Sequence, residues 1–216
     1  MRNTIRILLA DDHAMVRDGL AAILEEQDDF DVVAVAANGL EAVKQARRAK
    51  PDVALIDVVM PGLNGIDAAA QIHQDCPSTR VIMISMRSDI DYVYRALKAG
   101  AQGYVTKSST ATDLIVAMRA VLAGRRFLSE GIAESVLEDY IQARVCNSPL
   151  EQLSPRERQI LQLLAEGHST ASMAGLLSLS PKTVDTYRSR TMEKLGLTEL
   201  PALIKFAIRH GMTPPE

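Results

Sequence analysis

The residues best placed for chemistry stand where apolar runs end. "IRILLADD" closes on Asp11 and Asp12, "VALIDV" delivers Asp57, "RVIMIS" stops at Ser85 and "GYVTK" at Lys107. A carboxylate inside a run that otherwise reads as buried is costly unless something compensates it. Three such anions gathered at one rim would repel each other unless a cation sat among them. Oxygen donors without a His or Cys partner suit a hard ion, and a few carboxylates completed by water are the style of a Mg²⁺ site. Beside such an ion Asp57 can attack a phosphoryl group, Lys107 can offer that group a positive charge, and Ser85 a hydroxyl donor. The set therefore suits phosphoryl transfer onto aspartate. His13, next to the pair, reads as the start of a helix rather than a ligand. His73 and Cys76 share a helix face with no second ligand pair, and read as ordinary helix positions.

Those side chains can meet only if the elements carrying them bring them to one edge. Five β-type runs (5–10, 31–37, 53–58, 80–85 and 103–107) alternate with five segments of helical periodicity (13–27, 39–49, 65–76, 90–100 and 111–124). That alternation predicts a doubly wound parallel sheet of the α/β class, with strands buried on both faces. Open sheets of this kind bind ligands beyond the carboxyl ends of their strands, which is where the five residues fall. If strands one and three are neighbours, Asp11, Asp12 and Asp57 converge.

The chain has 216 residues, 47% of them apolar, and a formal charge of −3, which predicts an ordered globular protein of two domains. Residues 151–216 hold 8 Lys+Arg against 7 Asp+Glu, leaving 16 against 20 in front of them, so the acidic balance belongs to the first domain. No apolar run is long enough to cross a bilayer, and "MRNTIRILLADDH" meets Asp11 too early for a signal-peptide core; a cytoplasmic protein without membrane contact is expected. Cys76 and Cys146 form no CxxC pattern and suggest neither a disulfide framework nor a zinc cage. The expected division is 1–125, a linker over 126–150 with one amphipathic helix from Glu130 to Arg144 and breakers at Asn147, Ser148 and Pro149, and 151–216. This last part contains four helices and no β-type run. Ser154, Pro155 and Glu157 give the first of them a capping box and an N1 proline, and Ser180 with Pro181 opens the longest. That longest helix carries four basic residues against two acidic ones and follows a short helix across a tight turn, the layout of a helix-turn-helix.

"LLADDH", "LIDVVMPGLNG", "VIMIS" and "GAQGYVTKS" resemble, in order, the signature segments of a response-regulator receiver domain. The resemblance implies a flavodoxin-like (βα)₅ fold with strand order 2-1-3-4-5. It also implies Asp57 as phosphoacceptor, Asp12 as a direct Mg²⁺ ligand, Asp11 acting partly through water, and the Val59 carbonyl completing the protein ligands beside Asp57. Ser85 and Lys107 fall at its phosphate-contacting positions. Tyr104 resembles its switch aromatic, whose ring moves inward when Ser85 moves to the phosphoryl group. The proline common after the lysine is missing near Ala111, and Val59 and Met86 flank the site.

"LSPRERQILQLLAEGHSTASMAGLLSLSPKTVDTYRSRTMEKLGL" is similar to the LuxR-type helix-turn-helix of the NarL/FixJ regulators, and "SPKTVDTYRSR" and "AIRHG" resemble the GacA/UvrY branch. By position, Lys182, Thr183, Asp185, Thr186, Arg188 and Ser189 would face DNA, with Arg190 and Lys194 as further cations on the same helix, while Val184 and Leu195 pack inward. Together the two resemblances imply a transcriptional regulator, not an enzyme, with a sensor histidine kinase and double-stranded promoter DNA as partners. They imply a homodimer when phosphorylated, with Leu203, Ile204, Ala207 and Ile208 of the last helix available either to that contact or to the core. Two alternatives stay open. A phosphatase of the haloacid dehalogenase type would need a second aspartate where Val59 stands; a receiver used only for dimerisation would not need Asp11, Asp12, Asp57 and Lys107.

Overall fold

The computed structural model describes residues 4–86, 89–141 and 149–213. It divides into two compact units, one built around a sheet and one containing the C-terminal helices. In the first, β1 (Ile5–Ala10), α1 (Ala14–Glu25), β2 (Phe30–Ala36), α2 (Gly39–Ala49), β3 (Val53–Asp57), α3 (Gly65–Asp75), β4 (Arg80–Ser85), α4 (Ile90–Lys98), β5 (Gly103–Thr106) and α5 (Ala111–Leu122) alternate as the periodicity requires. Each of the five expected strands lies within one residue of its expected bounds.

The sheet nevertheless has six strands, not five. Phe127–Leu128 form β6, parallel to β5, and the order is β2-β1-β3-β4-β5-β6. Phe127 N–H donates to the Gln102 carbonyl and Ser129 N–H to the Tyr104 carbonyl, both at 3.0 Å. A two-residue strand is too short to show an alternating pattern, so "RRFL" reads as linker until its partner is known. α6 (Glu130–Ile141) follows and packs on α4. The remainder of the expected linker helix, to Arg144, lies outside the described residues, as do Cys146, Asn147 and Ser148.

Ile7, Leu9, Val53, Leu55, Ile82, Ile84 and Val105 form one core with Leu24 of α1 and Leu114, Met118 and Val121 of α5. Leu8, Ala54, Ile56, Met83 and Tyr104 alternate with them and are equally buried, so both faces of the strands are covered. Double burial is why these strands read as unbroken apolar runs. α5 starts at Ala111, where Thr110 and Asp113 form a capping box.

The second unit holds a short 3₁₀ turn at Pro149–Gln152 and then α7 (Pro155–Ala165), α8 (Thr170–Leu177), α9 (Pro181–Leu195) and α10 (Leu200–Arg209). The Ser154–Glu157 capping box is present. Ser180 caps α9, whose end at Gly196 adopts φ +64, a left-handed conformation that glycine takes without strain. Ile160, Leu161, Leu164, Met173, Leu177, Val184, Leu203 and Ala207 make its core, with Leu195 and Ile204 packed at the margin. No helix of the described residues is long and apolar enough to cross a membrane.

Candidate functional site

Parallel pairing of β1 with β3, in register at Ala10↔Ile56, sets Asp11 and Asp57 side by side at one end of the sheet. Both are almost wholly buried, at 2% and 5% exposure. Lys107, just past β5, reaches between them: its Nζ lies 2.6 Å from Asp11 Oδ2 and 3.0 Å from Asp57 Oδ2. Asp12 is more open, and the ligand atoms of Asp11, Asp12, His13 and Asp57 all lie within 4.8 Å of one another. Arg17 of α1 fixes the backbone here, Nη1 donating to the Asp11 carbonyl at 2.6 Å.

Burial pushes the Asp57 carboxyl up from 3.8 to about 6, against the pull of Lys107 and with a further push from Asp11 and Asp12. Burial also disfavours the Lys107 ammonium, but its bonds to Asp11 and Asp57 outweigh that and raise its pKa. With the lysine charged, Asp11, Asp12 and Asp57 leave a formal −2. A divalent cation would neutralise that excess, and the oxygen-rich donor set fits a Mg²⁺ ion.

Ser85 ends β4 beside Thr106 of β5. Ser85 is buried, and its side chain is hydrogen-bonded to the Tyr104 hydroxyl. The Tyr104 ring is fully enclosed, and burial pushes its hydroxyl up to about 12. The resemblance ties an inward ring to Ser85 moving to a phosphoryl group; here the ring is already inside while Ser85 bonds the tyrosine. Val59 follows two residues after Asp57 in the loop 58–64, half-buried.

Three participants escape a reading of the sequence. Arg17 looks like any exposed helix cation. His13 does begin α1, as N-cap residue, yet its ring nitrogen Nδ1 comes 2.7 Å from Asp12 Oδ1. Gly65 is the third. A Cβ there would stand 1.8 Å from the Asp57 carbonyl oxygen and 2.8 Å from its carbon, because the first turn of α3 runs against the end of β3, with Gly65 N–H bonded to Val58 O at 2.9 Å. Its signal was a glycine opening a helix, where almost any other residue would be the better helix former.

In the second unit α8 and α9 are joined through Ser178, in a left-handed conformation at φ 54. Lys182, Thr186, Ser189, Arg190 and Lys194 are exposed, and Thr183, Asp185 and Arg188 half-buried. Arg188 pairs with Asp185 at 3.0 Å. Lys194 Nζ is bonded to Glu157 Oε2 at 2.7 Å, and the same oxygen accepts from Ser154 N–H at 2.7 Å. One buried carboxylate thus ties the end of α9 to the start of α7. Burial would raise the Glu157 pKa, but the bonds from Lys194 and Ser154 outweigh it and hold the carboxyl below its usual 4.5. A depressed pKa contributes stability that is present above the ordinary value and lost as pH falls through the folded one. Replacing Lys194 by Met should therefore loosen α7 and α9 at pH 7, with the gap to wild type closing below about pH 4.5; hydrogen exchange of the α9 amides across that range checks it.

The model of the response regulator receiver domain matches residues 7–119, more than half of the chain, and that of the bacterial regulatory proteins of the luxR family matches residues 151–207. The chain belongs to the response regulators. The response regulator GacA of Pseudomonas viridiflava is 39% identical over 208 residues, covering 96% of this chain and 97% of its own. The oxygen regulatory protein NreC of Staphylococcus epidermidis is 35% identical, covering 95% and 97%. A structure of two RcsB dimers bound to two parallel DNAs aligns with a TM-score of 0.61 at 28% identity, over 98% of this chain and 100% of that one. This response regulator thus combines a receiver with a LuxR-type DNA-binding domain and is a transcription regulator.

Proposed function

We propose that Asp57 accepts a phosphoryl group in a Mg²⁺-dependent reaction and that this modification controls promoter binding by the helix-turn-helix. The observation that carries the reading is Lys107 Nζ held between Asp11 and Asp57, 3.0 Å from the proposed nucleophile. Residues 1–125, with Phe127 and Leu128 on the edge of their sheet, serve as receiver, the rest of 126–150 as linker and 151–216 as DNA-binding domain, in a protein that acts in the cytoplasm, where its DNA is. Asp11, Asp12, Asp57 and the Val59 carbonyl hold the ion, which when bound screens the carboxylate and the incoming phosphoryl oxygens. A sensor histidine kinase, or a small donor such as acetyl phosphate, supplies the group. An Asp57 oxygen attacks phosphorus, the bond to the donor breaks, and an acyl phosphate remains. Lys107 keeps its proton and faces the transferred group with positive charge. Ser85 then exchanges the Tyr104 hydroxyl for a phosphoryl oxygen, which changes what holds the ring in place.

On the output side, Lys182, Thr183, Asp185, Thr186, Arg188, Ser189 and Arg190 line the DNA-facing side of α9. Lys194, committed to Glu157, acts on DNA through the helix it anchors. Lys182→Ala and Arg190→Ala should each lower the salt slope of binding to a non-specific duplex by about 0.9, whereas Lys194→Met should leave that slope unchanged. Phosphorylated regulators are proposed to bind as homodimers; the DNA-bound dimers of RcsB support that assembly. Leu203 and Ala207 are used in the core and Ile204 packs at its margin, which leaves Ile208 of the α10 stripe for such a contact. Genome-wide footprinting with and without acetyl phosphate tests the function. Promoter protection gained on phosphorylation and absent in Asp57→Ala supports it; protection indifferent to both refutes phosphoryl control.

A further inference from the structure

The carboxylates at the sheet end do not stand alone. His13 occupies the N-cap of α1 with φ −87 and ψ 111, yet its side chain caps no helix amide. Its backbone N–H donates instead to Asp11 Oδ1 at 2.9 Å. The ring lies over the acidic pair as well: Nδ1 is 2.7 Å from Asp12 Oδ1 and 3.3 Å from Asp11 Oδ1. A ring nitrogen is also within 4.8 Å of the Asp57 ligand oxygen. The side chain is 67% exposed, so it can turn toward or away from the carboxylates without disturbing the core.

We propose that His13 is a metal-selecting residue, whose imidazole nitrogen turns an oxygen-only site into a mixed nitrogen and oxygen site that favours Co²⁺, Ni²⁺ or Zn²⁺ over Mg²⁺ beyond what the carboxylates alone provide. The inference rests on the reading of Asp11, Asp12 and Asp57 as a cation site. Carboxylates, carbonyls and water suit Mg²⁺, which keeps several of its waters and gains little from an imidazole. The borderline first-row ions bind imidazole well, and the geometry offers them one at the mouth of the site. Under Mg²⁺ the ring is free to point to solvent; under Ni²⁺ it joins the carboxylates as a ligand.

Isothermal titration calorimetry of the full-length protein, free of any affinity tag, tests this with Mg²⁺ and Ni²⁺ on wild type, His13→Asn and Asp12→Asn. Asparagine is a favoured N-cap residue, so His13→Asn preserves the start of α1. The expected result is a Mg²⁺ affinity within about twofold of wild type and a Ni²⁺ affinity lower by on the order of 10- to 100-fold in His13→Asn. The Co²⁺-loaded protein should change its visible absorption in the same variant, as it exchanges a nitrogen for an oxygen. A Ni²⁺ to Mg²⁺ preference unchanged by His13→Asn would overturn the role of His13 while leaving the carboxylate site standing. Divalent binding absent from wild type, or undiminished in Asp12→Asn, would overturn the site and the role of His13 together.

Discussion

Asp57→Asn should abolish phosphoryl uptake and, in the same protein without metal, raise the thermal stability of the receiver near neutral pH. The two effects have one cause. A carboxylate kept at 5% exposure beside Asp11 and Asp12 is positioned for attack at the expense of stability, which its pKa of about 6 reflects. A carboxyl whose folded pKa lies above the unfolded 3.8 stabilises the fold fully below pH 3.8, and that contribution is lost as pH rises through about 6. Across that window the loss is on the order of 1–3 kcal/mol. Asparagine removes it, since Lys107 retains Asp11 as partner at 2.6 Å. Melting curves of metal-free wild type and Asp57→Asn between pH 4 and 7 should therefore diverge as the pH rises, with the variant higher, and Mg²⁺ should narrow the gap by stabilising wild type. Curves that run parallel would show that Asp57 carries no such cost.

The second large effect falls on a residue with no chemistry of its own. Gly65→Ala would place a methyl carbon 1.8 Å from the carbonyl oxygen of Asp57, a backbone atom that no side-chain rotation can clear. Either α3 retreats from the end of β3 or the phosphoacceptor moves. Overpacking against backbone of this kind costs about 3 kcal/mol or more. Chemical denaturation should show a loss of that size, and acetyl phosphate labelling should fall even under conditions where the variant stays folded. Normal labelling and stability together would mean that α3 yields without consequence to the site.

Much of this was legible in the residues. Asp57 declared itself by interrupting an apolar run, and Ser154, Glu157 and Ser180 announced the helices they cap, because local chemistry decides those features. What depended on distant partners was hidden. Phe127 and Leu128 are a strand only because β5 offers an edge at Gly103 and Tyr104. Lys194 counts as one more cation on a basic helix until Glu157, in another helix, is found against it. Nothing in the order of residues says that the His13 ring lies over Asp11 and Asp12, since that depends on how the chain turns from β1 into α1. The inward ring of Tyr104 likewise reflects which partner Ser85 has, a matter of state rather than of sequence.

Every role proposed for the receiver depends on Asp57 taking up the phosphoryl group. Treating the protein with acetyl phosphate and Mg²⁺, reducing the acyl phosphate with borohydride and mapping the peptides by mass measures it directly. The expected result is one phosphoryl per chain, conversion of residue 57 to homoserine, and loss of both when Mg²⁺ is chelated. Conversion at another residue, or no gain in mass at all, would contradict the account.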